Sequence, residues 1–508
     1  MANQRRIVVL GGGVSGLAFG YYMNAFKRSI LTVKGSVLPQ ITLLEKSSEV
    51  GGWMKSHQDE STKAVFEYGP RSLRAVGHEA RSSMALAEEL GLASEIIAVT
   101  RTSPPGKQRL IYGKDKLHPL PTSIMGFLRK FPLINRSMAA VAYNEMKTPP
   151  SMQTKNKDES IHSFISRRFG TEVADYVADP FLRGIIAGDS KETSVISMFP
   201  NLKAAEDRYG SVIRNLSKVS APVKGVIKES AVCRRAKDEK WAMWNFKSGL
   251  QTLPNALHTA LLDQGTELKM DTSCTKLEKS GQGFLVHTAD GVVEADAIVA
   301  AVNSKIISRL LQDDHPLLSE KLNSLPIHDV ATATLEYSTD AASSIPQAFG
   351  HLVPSCENEE NLGVIYESMV FPQHDRVDNS TKRLTVMIGG AWFDSVLGAD
   401  PTISTVEEIA IRSVAKQLNI SARPVNIKAN IIRDAIPQYP IGHSALVAEI
   451  DEYIKEHQLP LTLIGPSYDS PGANHCIHRA KVQAMNLLEQ WDVIDLQSLV
   501  QENIRNES

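Results

Sequence analysis

Cysteine is scarce in this 508-residue chain, and the four present, Cys233, Cys274, Cys356 and Cys476, stand far apart. No CxxC pair and no histidine at zinc spacing accompanies them. This excludes a disulfide framework and a structural zinc site and leaves reduced, unpaired thiols. Charge imbalance is missing as well: Lys plus Arg number 55 and Asp plus Glu 57, a formal net charge of -2. Without a global field nothing draws in a nucleic acid or another polyanion. Long apolar runs are absent too. Ile7 to Leu10 and Ala297 to Val302 fall far short of the roughly 18 residues a spanning helix needs, so any membrane contact is expected to be peripheral. Strand-like sequence begins almost at once, with Arg5-Arg6-Ile7-Val8-Val9-Leu10. No cleavable targeting peptide is therefore expected, and import would use an internal signal. Neither a Ser-His-Asp constellation nor a metal-ligand cluster stands out.

What is present is globular: 42% hydrophobic and 22% charged residues, over a length that implies two or three domains. The buried-strand run Ile7 to Leu10 feeds into Gly11-Gly12-Gly13-Val14-Ser15-Gly16 and then the apolar helical stretch Leu17 to Phe26. In Gly11-x-Gly13-x-x-Gly16 the first glycine makes the tight turn, the second admits a pyrophosphate and the third lets helix and sheet pack closely. The phosphates then sit on the positive end of the helix. A second strand, Ile41 to Leu44, follows the connection Lys27 to Gln40 and ends at Glu45, placed to accept ribose hydroxyls. These elements predict a βαβ unit that binds a dinucleotide.

Farther along, residues 103–239 contain the proline pairs Pro104-Pro105 and Pro149-Pro150, a polar run Thr154 to Ser160 and several amphipathic patterns, which predict a mainly helical insertion. Within it Ile124, Phe127, Leu128 and Phe131 recur at helical spacing beside Arg129 and Lys130, a pattern that fits a helix lying in a lipid interface. A helix opens at Gly249 to Pro254, and strands near Glu267, Phe284 and Val292 and the run Ala297 to Val302 return to the first sheet. Ala331 to Tyr337, Gly363 to Glu367 and Arg383 to Ile388 predict a second sheet. Leu461 to Ile464 predicts a last strand and Asn474 to Leu488 a last helix. The expected architecture is mixed α/β: a discontinuous Rossmann-like domain over 1–102, 240–310 and 430–508, the helical insertion, and a second-sheet domain over 311–429.

After five intervening residues Glu45 is followed by Gly51-Gly52-Trp53, and farther on by Phe66-Glu67-Tyr68-Gly69-Pro70-Arg71. Here the chain resembles the amine-oxidase-like FAD proteins, and the resemblance narrows to the oxygen-dependent protoporphyrinogen oxidase family, eukaryotic mitochondrial type. It extends over nearly the whole chain, through Leu117 to Pro121, His162-Ser163-Phe164, Arg167 to Gly170, Arg183-Gly184, Ala187-Gly188-Asp189, Gly350 to Pro354, Val386 to Gly390, Ile436 to Tyr439 and Gly442-His443. It implies noncovalent FAD held by Gly11, Gly12, Gly13, Val14, Ser15, Gly16, Glu45, Lys46, Trp53, Gly69, Pro70, Arg71, Ser72, Ser273, Pro466, Pro471, Gly472 and Ala473. At the C-terminal segment the sequence departs from the family, with Pro471 and Ala473 in place of larger aliphatic residues and His475 in place of Asp.

The resemblance also implies a substrate site: Arg109 receives a propionate, Phe349, Leu352 and Met387 sandwich a macrocycle, and Phe181 and Gly184 form a wall. No side chain is expected to act as a chemical catalyst, since the flavin carries the redox step. The implied reaction oxidises protoporphyrinogen IX with molecular oxygen and releases hydrogen peroxide. Partners follow from the same resemblance: a peripheral, monotopic seat on the mitochondrial inner membrane at its intermembrane-space side, a homodimer, and hand-over of product to ferrochelatase. Two other activities share the superfamily or fold. One is an amine oxidase or desaturase; the other is a flavin-free carrier like the GDP-dissociation inhibitors, which the intact glycines and Glu45 oppose.

Overall fold

The computed structural model describes residues 4–27, 37–151, 157–214 and 230–494. The polar run Thr154 to Ser160 and the connection Lys27 to Gln40 therefore fall partly outside the described residues. Two sheets organise the chain.

The first is a five-stranded parallel sheet in the order Glu267–Lys269, Gln40–Leu44, Arg6–Leu10, Ala297–Ala300 and Leu461–Leu463. Its central strands are buried on both faces, as parallel strands must be. Ile7, Val9, Leu43 and Val299 face one core with the helices Val14–Lys27, Thr252–Asp263 and Ala473–Gln490. Val8, Leu10, Leu44 and Ile298 face another, made with the small antiparallel sheet of Cys274–Ser280, Gly283–Thr288 and Gly291–Ala295 and with the helices Ser304–Leu311 and His443–Glu456. The period-2 alternation thus divides one strand between two cores.

The second sheet has seven strands, in the order Asn426–Pro437, Ile327–Ser338, Thr381–Gly389, Asn361–Ile365, Gly350–Leu352, Leu110–Gly113 and Lys116–Pro119. Gly350–Leu352 pairs parallel to Leu110–Gly113. Leu384, Val386 and Ile388 pack under the helix Ile403–Leu418. Met387, between them in sequence, points to the opposite face.

Residues 157–214 add helices at Ile161–Phe169, Asp179–Ile186 and Pro200–Tyr209 around a core that includes Phe131, Leu133, Phe164 and Leu182. The helix expected through Ile124, Phe127, Leu128 and Phe131 is shorter than its pattern. It covers Ile124–Leu128, stops at Arg129, whose backbone is extended, and gives way to a strand pair of Lys130–Phe131 with Arg136–Ser137. Phe131 is 3% exposed because it fills the core beside Leu133 and Phe164, so burial overrode helical spacing there. Among the described residues no helix is long and apolar enough to cross a membrane.

The helical region is pinned by buried charge. Arg168 and Glu145 are an ion pair with both side chains fully buried. Glu145 also accepts from the Val212 amide at 2.8 Å and from Ser211 Oγ at 2.8 Å, while Arg168 Nη1 donates to the Thr148 carbonyl at 2.9 Å. Next to them Arg167 bridges Glu159 and Glu206. Arg168→Ala leaves the Glu145 carboxylate buried without its counter-charge and should cost about 3–5 kcal/mol in a urea melt. Glu145→Leu combined with Arg168→Met should cost less than the sum of the two single changes, because neither charge is then orphaned.

Candidate functional site: cofactor cradle and apolar wall

The turn after the first strand is built by close approach. Gly11 has φ +104°, and a Cβ there would lie 2.9 Å from the Ala301 carbonyl oxygen; a Cβ on Gly16 would run into the Gly11 carbonyl. The helix Val14–Lys27 is thereby drawn tight against the strand end. At Gly13, by contrast, a Cβ would meet nothing within 4 Å. Open space therefore lies in front of the helix N-terminus, where unpaired amides favour a phosphate.

Five other segments gather around this turn. The Gly51 amide donates to the Gly12 carbonyl at 2.8 Å, bringing Gly51-Gly52-Trp53 alongside. Gly69 has no room for a Cβ against the Trp53 carbonyl, so Gly69 to Ser72 follows next. Glu45, half-buried, accepts from the Gly12 amide at 2.6 Å and from the Ser47 amide at 2.9 Å, which fixes the carboxylate at the end of its strand. Lys46 beside it is exposed, and so is Ser273, which follows Thr272, whose amide donates to the Glu45 carbonyl at 2.8 Å. From the C-terminal side, Gly465 approaches Ser15, and the helix Ala473–Gln490 packs on the helix Val14–Lys27. Pro466 is tied down by Tyr439, whose hydroxyl donates to its carbonyl at 2.5 Å. Pro471, Gly472 and Ala473 open the last helix, which has no side-chain cap and no acidic residue in its first turn. Ser467 Oγ and Asn474 Oδ1 are buried with no protein partner. A cleft before a helix N-terminus, an oriented carboxylate and orphaned polar atoms suit a dinucleotide, and the residues fit the group.

Arg71 joins this cradle to the second sheet. Its Nε lies 3.1 Å from Glu367 Oε1, with the side chains 9% and 12% exposed, and its guanidinium also donates to the Glu67 carbonyl. Glu367 in turn accepts from Thr385 Oγ1 at 2.9 Å. Glu67 is buried and held by Ser56 Oγ, Asn245 Nδ2 and the Leu250 amide; burial raises its carboxyl above the usual range. A cavity of about 560 Å³ runs between Gly52, Trp53, Tyr68 and Gln251 on one side and Ala429, Asn430 and Ile432 of the sheet edge on the other.

The sequence-predicted wall residues fall into two touching groups. Arg109 sits half-buried, its guanidinium 4.4 Å above the Phe349 ring and its Nη1 donating to the Pro105 carbonyl at 2.7 Å and the Gln108 carbonyl at 3.1 Å. Burial pulls its pKa below the usual arginine value, and among the described residues no carboxylate pairs with it. Phe349 and Met387 pack on one cluster with Ile365, Val370 and Phe371. Leu352, three residues beyond Phe349, meets the helix Asp179–Ile186 at Gly184, where a Cβ would stand 2.6 Å from Leu352 Cδ2. Phe181 lies half-buried on that helix, one turn earlier. Sequence reasoning missed Glu367 and Asn245, because their partners Arg71 and Glu67 lie far off in the chain and no local pattern marks the pairing.

A family model for flavin containing amine oxidoreductases matches residues 14–463. The chain belongs to the flavin-containing amine oxidoreductase family. Its cofactor is FAD. Within that family the chain is 34% identical over 488 residues to the protoporphyrinogen oxidase of Bos taurus, covering 95% of this chain and 98% of that protein. It is 33% identical over 492 residues to that of Homo sapiens, with coverage of 95% and 98%. The coproporphyrinogen III oxidase of Bacillus subtilis is 24% identical over 499 residues, covering 96% and 98%. The fold is shared with a crystal structure from Exiguobacterium sp. 255-15, TM-score 0.76 at 20% identity over 96% of this chain and 99% of that one.

The space before Gly13 yields a specific test of the amine-oxidoreductase cradle. Gly13→Val meets no protein atom at its Cβ, so the variant should fold with an unchanged melting temperature once both proteins are stripped of flavin. It should nonetheless purify colourless, since the valine fills the pyrophosphate position. Flavin absorbance at the wild-type ratio would refute the cradle.

Proposed function

We propose that this protein is a protoporphyrinogen oxidase: it oxidises protoporphyrinogen IX to protoporphyrin IX with molecular oxygen and releases hydrogen peroxide, in haem synthesis. The observation that carries this reading is the half-buried Arg109 guanidinium. Among the described residues it has no carboxylate partner, and it lies on Phe349 at the edge of an apolar wall. A buried cation without a counter-ion favours an anionic ligand, and the planar fork suits a carboxylate. The ligand that matches both features is a large apolar ring with acidic side arms. The same charge repels a protonated amine, which counts against the amine oxidase reading.

Bound FAD supplies a two-electron acceptor whose electrons pass on to dioxygen. The chain supplies position. Arg109 takes a propionate; Phe349, Met387 and Leu352 sandwich the ring; Phe181 and Gly184 close the other side, Gly184 because any side chain would displace Leu352. Among the cofactor residues, Glu45 takes ribose hydroxyls, the amides of Gly11 to Gly16 take phosphate, and Trp53, Gly69, Pro70, Arg71 and Ser72 lie toward the flavin. Lys46, Ser273, Pro466, Pro471, Gly472 and Ala473 complete the cradle. Complete aromatisation removes six electrons and six protons, which balances three dioxygen molecules reduced to three of hydrogen peroxide. The removal therefore proceeds in three two-electron steps with tautomerisation between them, while the apolar sandwich and one charged anchor hold the ring against the flavin.

The membrane seat is part of the same proposal. Ile124, Met125, Phe127 and Leu128 are 85%, 60%, 48% and 60% exposed beside Arg129 and Lys130. Such a cluster fits peripheral insertion into an anionic lipid surface, here the intermembrane-space face of the mitochondrial inner membrane, with a homodimer and a ferrochelatase as partners. Ile124→Ser with Leu128→Ser should move the protein from sedimented anionic vesicles into the supernatant at unchanged melting temperature; unchanged partition would remove this surface from the account.

Arg109→Ala should mainly raise KM and lower kcat/KM by roughly tenfold to a hundredfold at full flavin content, the loss of a contact worth about 1.5–3 kcal/mol. Arg109→Lys should recover only part of it. Wild-type kinetics in the alanine variant would refute the propionate role.

A further inference from the structure

Arg183 stands out among the groups that the proposed chemistry does not use. Its side chain is 3% exposed, yet no carboxylate lies within ion-pair distance of it among the described residues. Nη1 donates to the Val353 carbonyl at 2.6 Å, the guanidinium lies 4.3 Å from the Trp392 ring centre, and Nε is buried with no partner. Burial brings its pKa down to about 10 against the pull of Asp179 and Asp189, so the group stays charged at neutral pH.

Those contacts join the three elements that bear the wall. Arg183 belongs to the helix Asp179–Ile186, next to Gly184 and one turn from Phe181. Val353 directly follows Leu352 at the end of its strand. Trp392 lies just past the strand that carries Met387, and both pack against the cluster that includes Ala187, Val330 and Ile432. The same helix end is fixed a second time, where the Ala391 amide donates to the Ala187 carbonyl at 2.9 Å and Gly390 leaves no room for a Cβ against Ala187. Between these tethers the Gly184 to Leu352 contact has no slack.

We propose, on the oxidase reading above, that Arg183 is a positioning residue: it fixes the Phe181–Gly184 wall against the Leu352–Met387 wall, which meet at the Gly184–Leu352 contact, and so holds the macrocycle that lies on them at reacting distance from the flavin. Energetics separate this role from plain packing. A buried charge without a hydrogen-bonded carboxylate partner is expensive, and an apolar side chain of similar size often stabilises such a site. Packing alone would favour methionine here; joining the helix to Val353 and Trp392 at once needs a planar group that donates to a carbonyl from its end and stacks on an aromatic ring by its face. A displacement near 1 Å costs on the order of a hundredfold in rate.

The test compares Arg183→Met and Arg183→Lys with the wild-type holoenzyme. Stopped-flow measurement of flavin reduction by protoporphyrinogen IX under anaerobic conditions should show the limiting rate falling at least tenfold in Arg183→Met. Half-saturation should change less than threefold, with flavin content and melting temperature kept or raised. Arg183→Lys should regain only a minor part, and reoxidation of the dithionite-reduced variants by oxygen should be unaffected. An unchanged reduction rate in Arg183→Met, or a fall that tracks loss of flavin or of melting temperature, would overturn the positioning role. Failure of the wild type itself to be reduced by protoporphyrinogen would instead overturn the oxidase reading.

Discussion

The working geometry rests on the buried ion pair between Arg71 and Glu367, which ties the glycine segment of the cofactor cradle to the seven-stranded sheet. Each partner is held independently: Arg71 donates to the Glu67 carbonyl, and Glu367 is held by Thr385 on a central strand. The charges are nearly sealed from water, so the pair tolerates little displacement. The cradle and the wall therefore keep one relative position, which a reaction between a bound cofactor and a bound ring requires. Glu67, clasped by Ser56, Asn245 and the Leu250 amide, stiffens the cradle side of the joint.

From that joint the division of labour follows in physical terms. The first sheet offers backbone amides, a carboxylate and close glycine contacts, the means of holding a polar, charged cofactor. The second sheet offers aromatic and aliphatic faces and, just before one of its strands, the Arg109 guanidinium, with which among the described residues no carboxylate pairs; these are features that a large apolar ring with acidic arms would use. Met387 faces Phe349 and Phe371 because its neighbours Val386 and Ile388 face the core below; a one-residue slip in register would exchange them.

Much of this was legible in the sequence because it is local. The strand, glycine turn and helix lie within some twenty residues, and the alternation in Arg383 to Ile388 announces both the strand and the face on which Met387 lies. Features set by distant partners were not legible. The pairing of Arg71 with Glu367 and the seat of Arg183 on Trp392 have no local signature. Phe131 carried a helical period but was claimed by the core around Phe164, and the exposed apolar cluster is consequently confined to Ile124 through Leu128. Arg109 was singled out by resemblance, whereas the absence of a carboxylate beside it among the described residues could come only from the structure.

The account stands or falls on electron transfer from the ring to the bound flavin. Anaerobic addition of protoporphyrinogen IX to the purified holoprotein, followed by readmission of oxygen, measures it directly by absorption and fluorescence. The flavin band should bleach on addition and return with oxygen, together with protoporphyrin fluorescence and hydrogen peroxide. A band that stays oxidised when protoporphyrinogen is added, although dithionite bleaches it, would contradict the account.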